Sequence, residues 1–292
     1  MTTNKQIRER IRELKKEFDA LKKDKKKLLT LIDEAEVPEA VYNSNAIENS
    51  TLSLSDTEKI LLDAESRVDA LPREIYEAKN LALVSAYISE HAGSQDVGKE
   101  LILHLHKLLL TGIDNSIAGR FRGPGEYVRV GTHVAPAPEH VESMIDSLLV
   151  NYASDHETYG PDMVAQFHLE FEHIHPFLDG NGRIGRVLMN WQLARLGFPP
   201  IIVRDKEKKL YYAGFPAHRD KKNSKLMQKV LTLALSESLH KRITHLRGTN
   251  IVRLSDYAKQ SGKSASALTN AARRQNIPAF REKGIWKIPS DA

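Results

Sequence analysis

The sequence has no cysteine, which excludes a disulfide framework and a cysteine-ligated metal. No apolar run reaches membrane-spanning length, and the first residues are charged where a signal peptide would be hydrophobic. The expectation is a cytoplasmic protein with no membrane partner. There is no internal repeat, and no low-complexity segment beyond the lysine run at 22–27. Charge of one sign is only mildly in excess: a net +5 permits nucleic-acid binding without demonstrating it. At 292 residues the chain can hold a full core and a small additional domain.

What is present is mostly helical pattern. Ile7, Ile11, Leu14, Phe18, Leu21, Leu28 and Ile32 recur at three- and four-residue steps, so a long polar helix is expected over 6–33, with a break in the pattern at Lys25. Its apolar stripe would pack on the core or on a second copy of the chain, and its lysines would form a solvated face. Further helices are expected near 38–48, 55–65, 71–91, 97–112, 138–153, 161–174, 181–196, 207–217 and 223–245.

Residues 175–186 read HPFLDGNGRIGR. His175 is a proton acceptor. Asp179 is a hard oxygen ligand suited to a divalent cation. Gly180, Asn181 and Gly182 expose backbone N–H groups at the start of a helix, where unpaired donors and the macrodipole favour anions. Arg183 and Arg186 are permanently charged forks for phosphate or carboxylate. Base, metal ligand, anion nest and arginines together describe a site for a metal-bound polyphosphate.

The string closely resembles the signature of the Fic family, HPFx(D/E)GNGRxxR, at every fixed position. That resemblance implies transfer of AMP from ATP to a protein hydroxyl. His175 would be the general base, Asp179 the Mg2+ ligand, and Arg183 a phosphate contact. The amides of Gly180, Asn181 and Gly182 would cradle the phosphates. Pro176 and Phe177 would stiffen and anchor the loop. Upstream, SNAIEN at 44–49 resembles the family's (S/T)xxxE(G/N) inhibitory motif, with Ser44, Glu48 and Asn49 in the fixed places. Members with this order form class II, in which the glutamate pairs with the second arginine, here Arg186. The pair would occupy the cation needed by the γ-phosphate and misalign ATP.

Residues 119–141 carry Val128, Val130 and Val134 among turn residues, a short two-stranded ribbon ended by Pro136 and Pro138. It resembles the Fic flap, which would lay Val130, Gly131, Thr132 and His133 over the nucleotide and hold a target segment by strand addition. Tyr211 and Tyr212 match a tyrosine pair that contacts adenosine in the family. A family asparagine expected a few residues later has no clear counterpart in AHRDK from Ala217.

From about residue 248 the chain changes character. LSDYAKQSGKSASALTNAARRQ reads as two short helices around Gly262, with Leu254, Tyr257, Ala258, Ala265, Leu268 and Ala272 as a small core. IPAFREKGIWKIP then alternates around Lys283-Gly284 like a hairpin wing. The segment is basic and resembles a winged helix-turn-helix. It would serve DNA binding or protein docking. If DNA is bound, Ser264, Ser266, Thr269, Asn270, Arg273 and Arg274 are the second-helix contacts.

The expectation is therefore a mainly α protein in three parts. Residues 1–95 form a helical region with the inhibitory helix at about 38–48. Residues 96–245 form a Fic-fold core with its flap at about 125–136 and its signature at 175–186. Residues 246–292 form the winged module. The expected activity is AMP transfer from ATP, with Mg2+, onto target proteins that include the chain itself. The alternatives are removal of AMP from a modified protein using Glu48, and a DNA-binding regulator whose core senses nucleotide.

Overall fold

Some helices start at a side-chain cap, as at Asn4, Ser53 and Ser264, and some stop on a left-handed residue, as at His175, Lys222, Gly248 and Gly262. The computed structural model describes residues 2–64 and 68–292. Helix α1 (Lys5–Leu21) is capped by the Asn4 side chain, which accepts from Gln6 N, and buries Ile11 and Phe18. It ends at the lysine run, where Asp24 has φ 60°. Helix α2 (Lys26–Ile47) then runs without interruption through Pro38. The single helix expected over 6–33 is thus two, and the separate one expected at 38–48 is the second half of α2. The lysine run offers no apolar side chain to carry the stripe across the break. Pro38 removes one helical donor, yet α2 continues, held by the buried ion pairs of Glu36 and Glu39 on either side of the proline.

Helix α3 (Leu54–Leu61) opens with a Ser53–Asp56 capping box. It stops short of the expected 55–65, whose last residue lies outside the described ones. Then follow α4 (Pro72–His91), α5 (Lys99–Leu110), a ribbon of β1 (Arg129–Val130) and β2 (His133–Val134), α6 (Pro138–Ser154), α7 (Gly160–Ile174), α8 (Asn181–Arg195), α9 (Lys208–Lys221) and α10 (Lys225–Arg247). Helix α9 passes through Pro216 and outlasts its expected end at 217.

Two apolar clusters share α7 and α8. Phe167, Phe171, Ile184, Val187, Leu188 and Trp191 pack with α4, α5 and α6. Val164, Leu169, Met189 and Leu193 pack with α1, α9 and α10. Helix α8 is therefore surrounded, which fixes the turn before it. Burying each large apolar side chain is worth about 1.5–3 kcal/mol. Ala78, Leu81 and Val84 of α4 belong to the first cluster, so the boundary drawn at residues 95/96 separates roles rather than packing. The stripe of α1 lies on the second cluster, so it packs on the core.

The C-terminal module holds β3 (Ile251–Arg253), α11 (Leu254–Ser261), α12 (Ala265–Arg273), β4 (Phe280–Glu282) and β5 (Ile285–Pro289), with sheet order β3-β5-β4. Leu254, Tyr257, Ala258, Leu268 and Ala272 form its core as expected, whereas Ala265 is exposed in the first turn of α12. The hairpin tip, Lys283 (φ 51°) and Gly284 (φ 75°), is exposed, yet its backbone is tied to the helical core. Both its N–H groups donate to Glu39 of α2, at 3.0 and 2.9 Å. Arg204 bridges Glu39 and Glu237, and Arg281 pairs with Glu237. Replacing Glu39 with Ala leaves Arg204 short of a buried partner. Such a loss costs about 3–5 kcal/mol, and a fall in the urea midpoint would measure it.

Candidate functional site

The turn between α7 and α8 is fixed from below. His175 ends α7 in the left-handed region (φ 51°), its N–H bonded to the Phe171 carbonyl at 2.9 Å. Asn181 accepts from Phe177 N and donates to Phe177 O, both at 2.8 Å, so its side chain clamps the loop and only its backbone N–H is left for a ligand. Phe177 is fully buried against the His106 ring at 3.6 Å. The Gly119 N–H donates to His106 Nδ1, which puts the ring proton on Nε2 facing the Asp179 carbonyl at 3.0 Å. Arg122, buried at the base of the flap, donates to the carbonyls of His175, Ile174, Glu126 and Pro136. Gly180 has φ 79°, and a Cβ there would come within 3.1 Å of Leu109 and Leu110. Glycine is needed both for the turn and for the contact. The first N–H groups of α8, at Asn181, Gly182 and Arg183, lack intrahelical acceptors by the geometry of a helix start.

Above this turn lies an ordered charge network. Buried Arg186 donates from Nε to Ser44 Oγ at 2.9 Å and from Nη2 to the Ser44 carbonyl at 2.8 Å and Glu48 Oε1 at 2.9 Å. Its Nη1 donates to the Tyr211 hydroxyl at 3.3 Å. Glu48 follows the last residue of α2, and Asn49 takes the left-handed φ of 67° that ends the helix. The Glu48 carboxylate rests on α8: a Cβ at Gly182 would meet its Oε1 at 2.2 Å. Glu48 thus sits on the helix start where an anion would bind. All three motif residues meet the signature through one arginine or through the helix end that aims at it.

Burial drives the imidazole of His175 down to about 4, with Arg122 and His133 adding to the effect, so it is neutral at pH 7. Burial alone would raise Asp179, but Arg183, the Gly180 N–H and Arg73 hold it below the usual carboxylate range. Arg73 and Glu77 of α4 were not singled out in the sequence. Arg73 pairs with Asp179, and Glu77 pairs with Arg183 at 3.0 Å. Nothing local signals them, since they lie more than a hundred residues from their partners. Among the described residues no three acidic or histidine side chains gather as a metal cluster. Asp179, part-exposed at the rim, nevertheless fits Mg2+, which is commonly held by one or two carboxylates and the substrate's phosphates.

The flap is as short as the sequence implies. Arg129 pairs with Val134 and Val130 with His133, with Gly131 and Thr132 exposed in the turn. His133 Nε2 lies 2.9 Å from the His173 carbonyl, which ties the ribbon to the end of α7. Tyr211 is built into the core, its hydroxyl between His168 and Arg186, and is not presented to a ligand. Tyr212 is partly exposed and donates to the Ile47 carbonyl at 2.8 Å. On α12, Ser264, Ser266, Asn270, Arg273 and Arg274 are exposed, while the Thr269 hydroxyl donates back to Ala265 O. The hairpin's own cations are engaged: Arg281 with Glu237 and Glu207, Lys283 with Glu58, Lys287 with Glu282. A cavity of about 400 Å³ between α6 and α7 contains none of the turn residues.

The Fic/DOC family profile matches residues 96–193. The protein named protein adenylyltransferase Fic from Nematostella vectensis is 36% identical over 182 residues, covering 59% of this chain and 41% of its own. The chain therefore spans about two fifths of that relative. A Fic domain containing signaling protein from Bacteroides thetaiotaomicron superposes with a TM-score of 0.71 at 24% identity, over 82% of this chain and 97% of that one. A Fic family protein from Desulfovibrio desulfuricans does so with a TM-score of 0.70 at 21% identity, over 99% and 97%. The last two establish the fold.

Proposed function

Because the chain carries a Fic/DOC family domain at residues 96–193, we propose that it transfers AMP from ATP to a protein hydroxyl and that Glu48 restrains the reaction. The observation that carries this reading is the convergence of a neutral His175, the open start of α8 and two buried arginines on one turn. The phosphate chain would lie over Gly182, met by helix N–H groups, Arg183 and Arg186. The target's hydroxyl oxygen attacks the α-phosphorus, its proton passes to His175, and the bond to pyrophosphate breaks. In the resting arrangement the Glu48 carboxylate lies over Gly182, at the start of α8, where the phosphates would sit. Glu48 both repels phosphate and keeps Arg186 at 2.9 Å from its own oxygen. A magnesium ion held by Asp179 would supply charge compensation on the phosphates.

The test uses two labels. Protein incubated with ATP labelled on the α-phosphate should become labelled, and ATP labelled on the γ-phosphate should leave no mark. Incorporation of the γ-label instead would make this a phosphotransferase. ATP-independent release of AMP from a labelled protein would assign the reverse reaction. Chelation by EDTA should silence labelling, and Asp179→Ala should lower it by about tenfold or more, one charged ligand being worth a few kcal/mol. Full labelling in EDTA would remove Asp179 from this role.

A further inference from the structure

One buried carboxyl beside the base has no part in the chemistry so far. Glu172 lies on α7, one turn before His175. Its Oε2 is 3.8 Å from His175 Nδ1, and its side chain is only 10% exposed. Its Oε1 is buried with no hydrogen-bond partner among the described residues. Room for it comes from α8: a Cβ at Gly185 would meet Glu172 Oε1 at 2.6 Å and His168 Cε1 at 2.7 Å. A buried carboxyl oxygen left unbonded is expensive in a folded protein, and nothing in the packing of α7 explains it.

We propose that Glu172 is a positioning residue for His175, supplying the counter-charge when the imidazole takes the target's proton; this rests on the adenylyl-transfer reading. With Nδ1 turned to Glu172, Nε2 is the nitrogen left for the hydroxyl. Attack moves that proton to Nε2 and makes an imidazolium in a poorly solvated place. An anion at Glu172 offsets the new charge, with no bond to Glu172 made or broken. The imidazolium later yields its proton to water, and Glu172 is unchanged.

The groups facing Glu172 decide its state. Arg186 of α8 favours the anion. Glu48 at the end of α2 opposes it. Tyr211 and Tyr212 of α9 and His168 of α7 are neutral at pH 7 in these surroundings. Burial and then the Glu48 charge push the carboxyl up to about 8. Burial, with the seated Glu48 adding to it, keeps Glu172 protonated, and Glu48 also keeps Arg186 occupied. Withdrawal of Glu48 lowers the Glu172 pKa.

The experiment follows α-label transfer by the full chain carrying Glu48→Gly, from about pH 6 to 9.5. The expected profile rises about tenfold, with its midpoint at or below the value for intact Glu48. Glu172→Gln in that background should hold the low-pH rate throughout, with KM for ATP unchanged, and Glu172→Asp should restore the rise. Sign fixes a second readout. A carboxyl raised above its unfolded value takes up a proton on folding between about pH 4.5 and 8, which costs stability at pH 7. Glu172→Gln should therefore raise the thermal midpoint there, whereas loss of a structural contact would lower it.

A third readout is independent of transfer. The His175 ring nitrogens, followed by NMR in the parent, should sense an inflection near pH 8 that Glu172→Gln abolishes. A rise that persists in Glu172→Gln, or a change in KM alone, overturns the role. A His175 resonance without the inflection overturns the pairing, whatever the labelling shows. If the inflection is present and no variant transfers α-label, the transfer reading fails while the Glu172–His175 pairing stands.

Discussion

Replacing Glu48 with glycine should raise AMP transfer by roughly 10- to 100-fold, although it deletes a well-placed carboxylate. The size follows from what the carboxylate holds. A charge-assisted hydrogen bond to a buried arginine is worth about 1.5–3 kcal/mol, and ATP must displace it before its phosphates can settle. The substitution frees Arg186 and also clears the space over Gly182, where the Glu48 oxygen now lies within 2.2 Å of the position of a side-chain carbon. Arg186→Ala should not imitate it, because the same guanidinium is needed for the incoming phosphate. The double variant should resemble Arg186→Ala, since both changes act on one contact and cannot add. Labelling with ATP tagged on the α-phosphate compares all three. Equal labelling in parent and Glu48→Gly would end the inhibitory reading.

The other large effect falls on the base. His175→Ala should lower transfer by about two to four orders of magnitude, the usual worth of a positioned proton acceptor. ATP binding should persist, because phosphate contacts come from α8 and its arginines. The pH dependence has a definite sign. Burial holds the imidazole down to about 4, so it is already the neutral acceptor across the physiological range. Loss of the base by its own protonation should set in only as pH approaches that value, well below the ordinary histidine range and separate from the rise that Glu172 imposes at higher pH. An NMR titration of the His175 ring that protonates it with a midpoint near 6.5 would contradict a buried base. Isothermal titration with a non-hydrolysable ATP analogue separates lost binding from lost chemistry.

Much of the site was legible because its parts are consecutive. Turn, anion nest and arginines occupy twelve residues, and their spacing on a helix start is a local property. The Glu48–Arg186 contact was legible only through resemblance, since 138 positions separate the two. Arg73, Glu77 and Glu172 carry no local mark. A charged residue on an amphipathic helix looks solvated until the fold brings another element over it. The helix break at the lysine run was visible as a lapse in apolar period, but the separate helix expected from 38 is the second half of one that tertiary ion pairs hold through Pro38. Tyr211 illustrates the converse: its place in the sequence pointed to a ligand, while its surroundings made it a support for Arg186.

The hand-off from Lys283 and Gly284 to Glu39 also has a timing consequence. Glu39 waits 245 positions along the chain for the last of its donors. During synthesis α2 can coil and lie against its neighbours, yet one of its buried anions stays short of partners until the β4–β5 hairpin has emerged. Closing so long a loop is slow, and contacts of this separation form late. The helix that leads to Glu48 is therefore made long before it is locked, nine residues from the carboxylate that rests on Arg186.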